Sequence, residues 1–178
     1  MPVLFDQLKQ IKAFIFDVDG VLTDGRILVN EAGEQLRQFN IKDGYALQLA
    51  VKRGFPVIAI SGGRSLGIKH RLQGLGITDI YLGLESKTEA FEEVQSKYGL
   101  KKEEILYMGD DMPDRAVMLL AGLPVCPADA VEEIKAISTY ISPKNGGAGC
   151  VRDVIEKVLK IQKKWEEVNP SAHDGSLS

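Results

Sequence analysis

Two aspartates one residue apart, Asp17 and Asp19, stand at the end of the apolar run Ala13-Phe14-Ile15-Phe16. Further on, Ser61 closes Pro56-Val57-Ile58-Ala59-Ile60 and precedes Gly62-Gly63. Lys87 stands just past Asp79-Ile80-Tyr81-Leu82, and Asp110, Asp111 and Asp114 follow Ile105-Leu106-Tyr107-Met108. These residue types suit phosphoryl chemistry. The hard oxygens of Asp17 and Asp110 fit Mg²⁺, which binds through one or two carboxylates, waters and substrate phosphate. A carboxylate is also a nucleophile towards phosphorus, giving an aspartyl-phosphate. A second carboxylate two residues on can protonate a leaving alcohol and later activate water. The Ser61 hydroxyl, nearby backbone amides and the Lys87 ammonium can hold phosphoryl oxygens as charge shifts during transfer. Singly, each residue has a plainer reading as a turn residue, a helix cap or a solvated cation. Their order, each at the carboxyl end of an apolar run, is what argues for a site.

The elements that must position these residues are legible as alternating signals. The four runs above, with the shorter Leu123-Pro124-Val125-Cys126 and Thr139-Tyr140-Ile141, read as strands of a parallel sheet buried on both faces. Between them, amphipathic stretches predict helices over Asp43 to Arg53, Ser65 to Gly74, Ser86 to Tyr98, Pro113 to Ala121 and Cys150 to Trp165. Ser86-Lys87-Thr88-Glu89 has the pattern of a capping box. Strand and helix in alternation imply right-handed crossovers and an open α/β sheet with helices on both faces. Residues Gly25 to Ile41 break the rhythm and read as a β-hairpin. Its strands are Ile27-Leu28-Val29 and Leu36 to Phe39, joined by a turn at Asn30-Glu31-Ala32-Gly33-Glu34. One domain over residues 1–168 and a flexible Ser-, Gly- and Asp-rich tail over 169–178 are expected.

Composition excludes several functions. Lys and Arg number 22 against 25 Asp and Glu, a net charge of −3 without the basic excess of a nucleic-acid binder. No apolar run approaches the ~20 residues of a membrane span. Cys126 and Cys150 are too few for a disulfide framework or a four-ligand zinc site. Met1 to Lys12 has no apolar core like that of a signal peptide, so a cytoplasmic location is expected.

Phe16-Asp17-Val18-Asp19-Gly20-Val21, Ser61-Gly62, Lys87 and Gly109-Asp110-Asp111-Met112-Pro113-Asp114 resemble, in order, the four motifs of the haloacid dehalogenase superfamily of phosphohydrolases. The resemblance implies a Rossmann-like, haloacid dehalogenase-like fold. It also implies Asp17 as nucleophile and Mg²⁺ ligand, and Asp19 as general acid/base that ligates the metal through its backbone carbonyl. Ser61, Gly62 and Lys87 would bind the phosphoryl group. Asp110 would be the remaining metal ligand, supported by Asp111 and Asp114.

A narrower resemblance covers nearly the whole chain. Asp19-Gly20-Val21-Leu22-Thr23-Asp24-Gly25, Phe39-Asn40-Ile41-Lys42-Asp43-Gly44-Tyr45 and Gly146-Gly147-Ala148-Gly149 are similar to the capless phosphatases of acidic sugar phosphates, the 3-deoxy-D-manno-octulosonate 8-phosphate phosphatase family of lipopolysaccharide sugar synthesis. It implies substrate binding through Asn40, Lys42, Asp43, Gly44, Arg71 and Lys87. Gln48 and Gly63 stand where some members carry arginines, Arg64, one residue past Gly63, is the candidate to substitute for them in binding substrate, and Ala148 stands where an arginine is familiar. The alternatives are a phosphatase for a nine-carbon sugar acid 9-phosphate, a non-catalytic module keeping the fold, and a receiver-like phospho-acceptor. The Asp17/Asp19 pair argues against the last two. The short segments between motifs leave no room for a cap domain. The apolar hairpin and the resemblance then imply a homotetramer in which neighbouring subunits help to close each site.

Overall fold

Ala13–Phe16 forms strand β1, and all four residues are buried, as expected of a strand covered on both faces. The computed structural model describes residues 3–166. In it β1 lies inside a six-stranded, all-parallel sheet with β4 (Val57–Ser61), β5 (Asp79–Leu82), β6 (Ile105–Met108), β7 (Leu123–Cys126) and β8 (Tyr140–Ile141), in the order β5-β4-β1-β6-β7-β8. Phe16 pairs with Met108 and with Ala59, so the carboxyl ends of β1, β4 and β6 lie nearly level. That alignment brings residues 17, 61 and 109–110 to one edge of the sheet.

The helices cover both faces. Side chains alternate along each strand. Phe14, Phe16, Val57, Ala59, Leu106 and Met108 enter one core, and Ile15, Ile58, Ile60, Ile105 and Tyr107 enter the other. The first core is closed by α1 (Leu4–Gln10), α2 (Ile41–Lys52), α3 (Leu66–Gly74) and α7 (Cys150–Ile161). The second is closed by α4 (Lys87–Tyr98), α5 (Arg115–Met118) and α6 (Glu132–Lys135). The first and last of these helices are clasped: Gln162 donates to the carbonyls of Leu8 (3.1 Å) and Ile11 (2.8 Å).

Several elements differ from the sequence expectation, each for a local reason. Helix α2 starts at Ile41 rather than Asp43, because the Asn40 side chain accepts from the amides of Lys42 and Asp43 and so caps it earlier. The expected helix over Pro113 to Ala121 shrinks to a 3₁₀ turn and the four-residue α5. The chain must turn there into β7, and Gly122 passes so close to Glu103 that a Cβ would lie 2.4 Å from its Cα. Helix α7 stops at Ile161, and Trp165 turns edge-on against Tyr45. The expected capping box is not formed; the Ser86 hydroxyl bonds the Thr88 hydroxyl instead. Helices α1 and α6 carry too few buried residues to show as a pattern.

The hairpin pairs only β2 (Leu28–Val29) with β3 (Gln35–Leu36), around an Asn30 side chain that accepts from the amides of Ala32 and Glu34. Phe39 leaves the hairpin to pack against the first core. The strand residues stay exposed, with Leu28 at 68%, Val29 at 58% and Leu36 at 50%. The expected tail over 169–178 lies outside the described residues. Among the described residues, no helix is long and apolar enough to cross a membrane.

Candidate active site

The level ends of β1 and β6 are locked by a bond from the Asp17 amide to the Met108 carbonyl, 3.0 Å. Past these ends, carboxylate oxygens of Asp17, Asp110 and Asp114 all lie within 4.8 Å of one another. Lys87, the first residue of α4, reaches in from the next layer. Its Nζ donates to Asp17 Oδ1 and to Asp114 Oδ1, both at 2.7 Å. The Tyr107 hydroxyl also donates to Asp114 Oδ1 (2.8 Å), and the Asp110 amide donates to Asp114 Oδ2 (3.1 Å). Lys87, Asp17 and Asp114 are all buried.

Charge bookkeeping at this point is unbalanced. Three acids share one ammonium. Burial, with repulsion from Asp114, pushes the Asp17 carboxyl up to about 7 against the pull of Lys87. Burial, with repulsion from Asp17 and Asp114, pushes Asp110 up to about 8. For Lys87, burial opposes the charge, but attraction from Asp17 and Asp114 outweighs it and raises the ammonium above its ordinary value. Burial and the neighbouring carboxylates likewise raise Tyr107, which stays a donor. A cluster that holds protons for want of positive charge is suited to a divalent cation. Both oxygens of Asp114 already have partners, which leaves Asp17 and Asp110 as the carboxylates to hold one.

The turn after Asp17 is shaped to let this happen. Gly20 has φ +91°, and a Cβ on it would lie 1.9 Å from Asp110 Oδ2, so only glycine passes beneath that carboxylate. Thr23 ties the turn together by accepting from the amides of Gly20 and Gly25. The glycine-rich segment Gly146-Gly147-Ala148-Gly149 is packed onto the same turn. A Cβ at Gly146 would meet the Gly20 carbonyl at 1.9 Å, and the Gly147 amide donates to the Val21 carbonyl at 3.0 Å. These glycines support the acid turn by close backbone approach.

The other expected residues fall into two groups. Ser61 ends β4, buried, and its Oγ accepts from the Gly63 amide (3.1 Å), with Gly62 exposed between them beside the carboxylates' edge of the sheet. Arg64 and Arg71 line a cavity of about 770 Å³ with Arg37, Phe39 and Leu66. Arg71 lies against the Gly44 backbone, where a Cβ would come within 2.5 Å of its Nη2. Its buried Nε has no hydrogen-bond partner among the described residues.

The remaining residues are engaged elsewhere. Asn40 caps α2 and donates through Nδ2 to the Gly147 carbonyl (3.2 Å). Asp43 is fully buried and caps α7 from outside, accepting from the Arg152 amide at 2.8 Å. Lys42 faces a different cleft, shared with Lys144 and Arg152, and is not brought together with Arg64 and Arg71. Asp111 is exposed and caps Met112, apart from the acid cluster.

Two residues of the site escape a sequence reading. Tyr107 hides in an apolar strand, where only the need of a buried phenol for a partner would point to it. Arg37 follows β3 and donates to Asp19 through Nε (2.6 Å) and Nη2 (3.3 Å). Nothing in Leu36-Arg37-Gln38-Phe39 marks it.

The chain is similar to known proteins in both sequence and structure. A family model described as haloacid dehalogenase-like hydrolase matches residues 73–155. The 3-deoxy-D-manno-octulosonate 8-phosphate phosphatase of Salmonella typhimurium is 36% identical over 166 residues, 93% of this chain and 88% of that protein. The crystal structure of the enzyme of the same name from Yersinia pestis matches with a TM-score of 0.89 at 35% identity, covering 92% of this chain and 88% of that one. The one from Moraxella catarrhalis, in complex with magnesium, phosphate and the octulosonate, matches with a TM-score of 0.88 at 35% identity, covering 91% and 93%.

Proposed function

We propose that this chain, which belongs to the 3-deoxy-D-manno-octulosonate 8-phosphate phosphatases of the haloacid dehalogenase-like hydrolases, performs that reaction with the residues gathered at the ends of β1, β4 and β6. It is a phosphoric monoester hydrolase that releases phosphate and the free sugar acid, and Mg²⁺ is its cofactor. The observation that carries the residue assignment is the buried contact of Lys87 with both Asp17 and Asp114, beside Asp110.

Asp17 attacks phosphorus through a carboxylate oxygen, and the bond from phosphorus to the sugar oxygen breaks. Asp19, two residues on, gives its proton to the departing sugar oxygen. Asp19 then takes a proton from water as that water attacks phosphorus, which breaks the bond to Asp17 and restores both carboxyl groups. Lys87, Ser61 and the amides around Gly62 hold the phosphoryl oxygens through both steps. Asp17 and Asp110, with the Asp19 carbonyl, would hold Mg²⁺, which supplies charge to the phosphoryl oxygens when bound. Asp114 fixes Lys87 and the Asp110 amide.

The substrate carries a carboxylate besides its phosphate, so it needs a second cationic region. Arg71 and Arg64, beside the cavity of about 770 Å³, are the side chains for it, with the backbone of Gly44 at its edge. Asn40, Lys42 and Asp43 belong to the same reading as substrate-binding residues, and Asn40 and Asp43 also cap α2 and α7. The proposal includes a cytoplasmic homotetramer; support for assembly comes from the bare apolar strands of the hairpin.

The test is phosphate release from 3-deoxy-D-manno-octulosonate 8-phosphate with Mg²⁺. Asp17→Asn should lower kcat by more than about 10³-fold while leaving the melting temperature near that of the parent. Substantial turnover by this variant would remove the aspartyl-phosphate route.

A further inference from the structure

The geometry points to Arg37 as a positioning residue for Asp19, an inference that rests on Asp19 being the general acid/base. Arg37 stands one residue past β3, where the hairpin returns to the domain. Its side chain is only 4% exposed, although its neighbours Leu36 and Gln38 are exposed. A guanidinium is costly to remove from water, and here a specific partner compensates it. Nε donates to Asp19 Oδ1 at 2.6 Å and Nη2 to Asp19 Oδ2 at 3.3 Å, the two-point fork that fixes the plane of a carboxylate as a lysine cannot.

The fork sets where Asp19 points. A Cβ built on Gly63 would lie 3.3 Å from Arg37 Nη2, 3.4 Å from Asp19 Oδ2 and 3.4 Å from Ser61 Oγ. Arg37 therefore holds the Asp19 carboxylate against the Ser61–Gly63 loop, on the side where the phosphoryl group is bound. Asp19 itself precedes the left-handed Gly20 and so sits on a turn rather than in a regular element. An outside brace is what such a side chain needs to meet a sugar oxygen and then a water from one position. The brace comes from the hairpin, so the arm that lies outside the sheet helps to set the geometry of proton transfer.

Two substrates separate this role from others. The sugar phosphate has a poor leaving group that needs a proton; p-nitrophenyl phosphate has a good one that does not. Both pass through the same aspartyl-phosphate, whose hydrolysis needs Asp19 as base. In Arg37→Ala, kcat on the sugar phosphate should fall by ~10²-fold, the lower end of what a positioned acid/base contributes. With p-nitrophenyl phosphate, the first equivalent of nitrophenolate should appear at a rate within about twofold of the parent, followed by a slowed steady state. Arg37→Lys, which keeps the charge and loses the fork, should recover part of the loss. Arg37→Ala added to Asp19→Asn should cost little more than Asp19→Asn alone.

Equal slowing of the first turnover and the steady state would overturn the inference, since a loosened fold or lost phosphate contact acts that way. So would a rise in KM confined to the sugar acid with kcat unchanged, which would make Arg37 a reader of the substrate carboxylate. If Asp19→Asn itself treats the two substrates alike, the assignment of Asp19 as acid/base fails and the role of Arg37 falls with it.

Discussion

Three carboxylates and one ammonium at the end of β1 have a consequence that titration can read. Asp17 and Asp110, raised to about 7 and about 8, hold protons in the metal-free folded protein that the unfolded chain releases near its ordinary value of 3.8. A folded state that binds more protons than the unfolded one loses stability as pH rises. The metal-free protein should thus be most stable below pH ~4 as far as these groups are concerned, and lose that stability between pH ~4 and ~8. Mg²⁺ replaces the protons, so the increase in Tm it produces should grow from pH 5.5 to pH 8. Thermal melts in chelator and in Mg²⁺ across this range check it; an increment independent of pH would mean that the cluster is ionised without the metal. At this scale the sequence pointed to residues that the fold brings together, Asp17 directly after β1, Asp110 and Asp114 in the turn after β6, and Lys87 at the start of α4, because the strands before them are apolar enough to see. It did not show what Arg37, Asn40 and Asp43 bond to within the fold. Their partners, Asp19, Gly147 and Arg152, lie 18, 107 and 109 residues away, and no local pattern encodes such contacts.

Elements succeed or fail as predictions according to how much of their geometry is local. Strands β1, β4 and β6 are continuous buried runs, β5 at the margin of the sheet is half-buried, and all four stand where their residues indicate. Helix ends depend on tertiary surroundings: α5 is cut short where Gly122 must pass Glu103, whereas α4 starts where expected, after Ser86, without the expected capping box. Helix α7 shows the same dependence. Its N-cap is Gly149, which has no side chain to offer, and the Arg152 amide is satisfied by Asp43 from α2. Burial raises the Asp43 carboxyl above its ordinary value, and its Oδ2 has no partner among the described residues. Loss of a cap costs ~1 kcal/mol, so Asp43→Ala should lower Tm by about 2–4 °C. Calorimetry of the variant decides between this and the opposing effect: an unchanged or higher Tm would show that burying the carboxylate costs at least as much as the cap contributes.

The whole molecule presents its hairpin as an unfinished surface. A two-stranded ribbon is marginal alone in water, yet Leu28 and Leu36 face each other across this one and both stay exposed. Leu28→Lys with Leu36→Lys should shift the protein towards monomer in sedimentation at assay concentration and reduce activity. A parent protein that sediments as a fully active monomer would end the shared-site proposal. A second feature of the molecule governs its birth. Strand β1, at residues 13–16, lies inside the sheet between β4 and β6, and the latter begins only at Ile105. The helix that clasps α1 and roofs the Phe14 face does not end until Ile161. A nascent chain therefore carries Asp17 on a strand with one edge unpaired, open to wrong partners, until β6 and the acids that follow it have been made. Competence to touch a phosphate ester arrives late and all at once, when the last tenth of the described chain closes over the first.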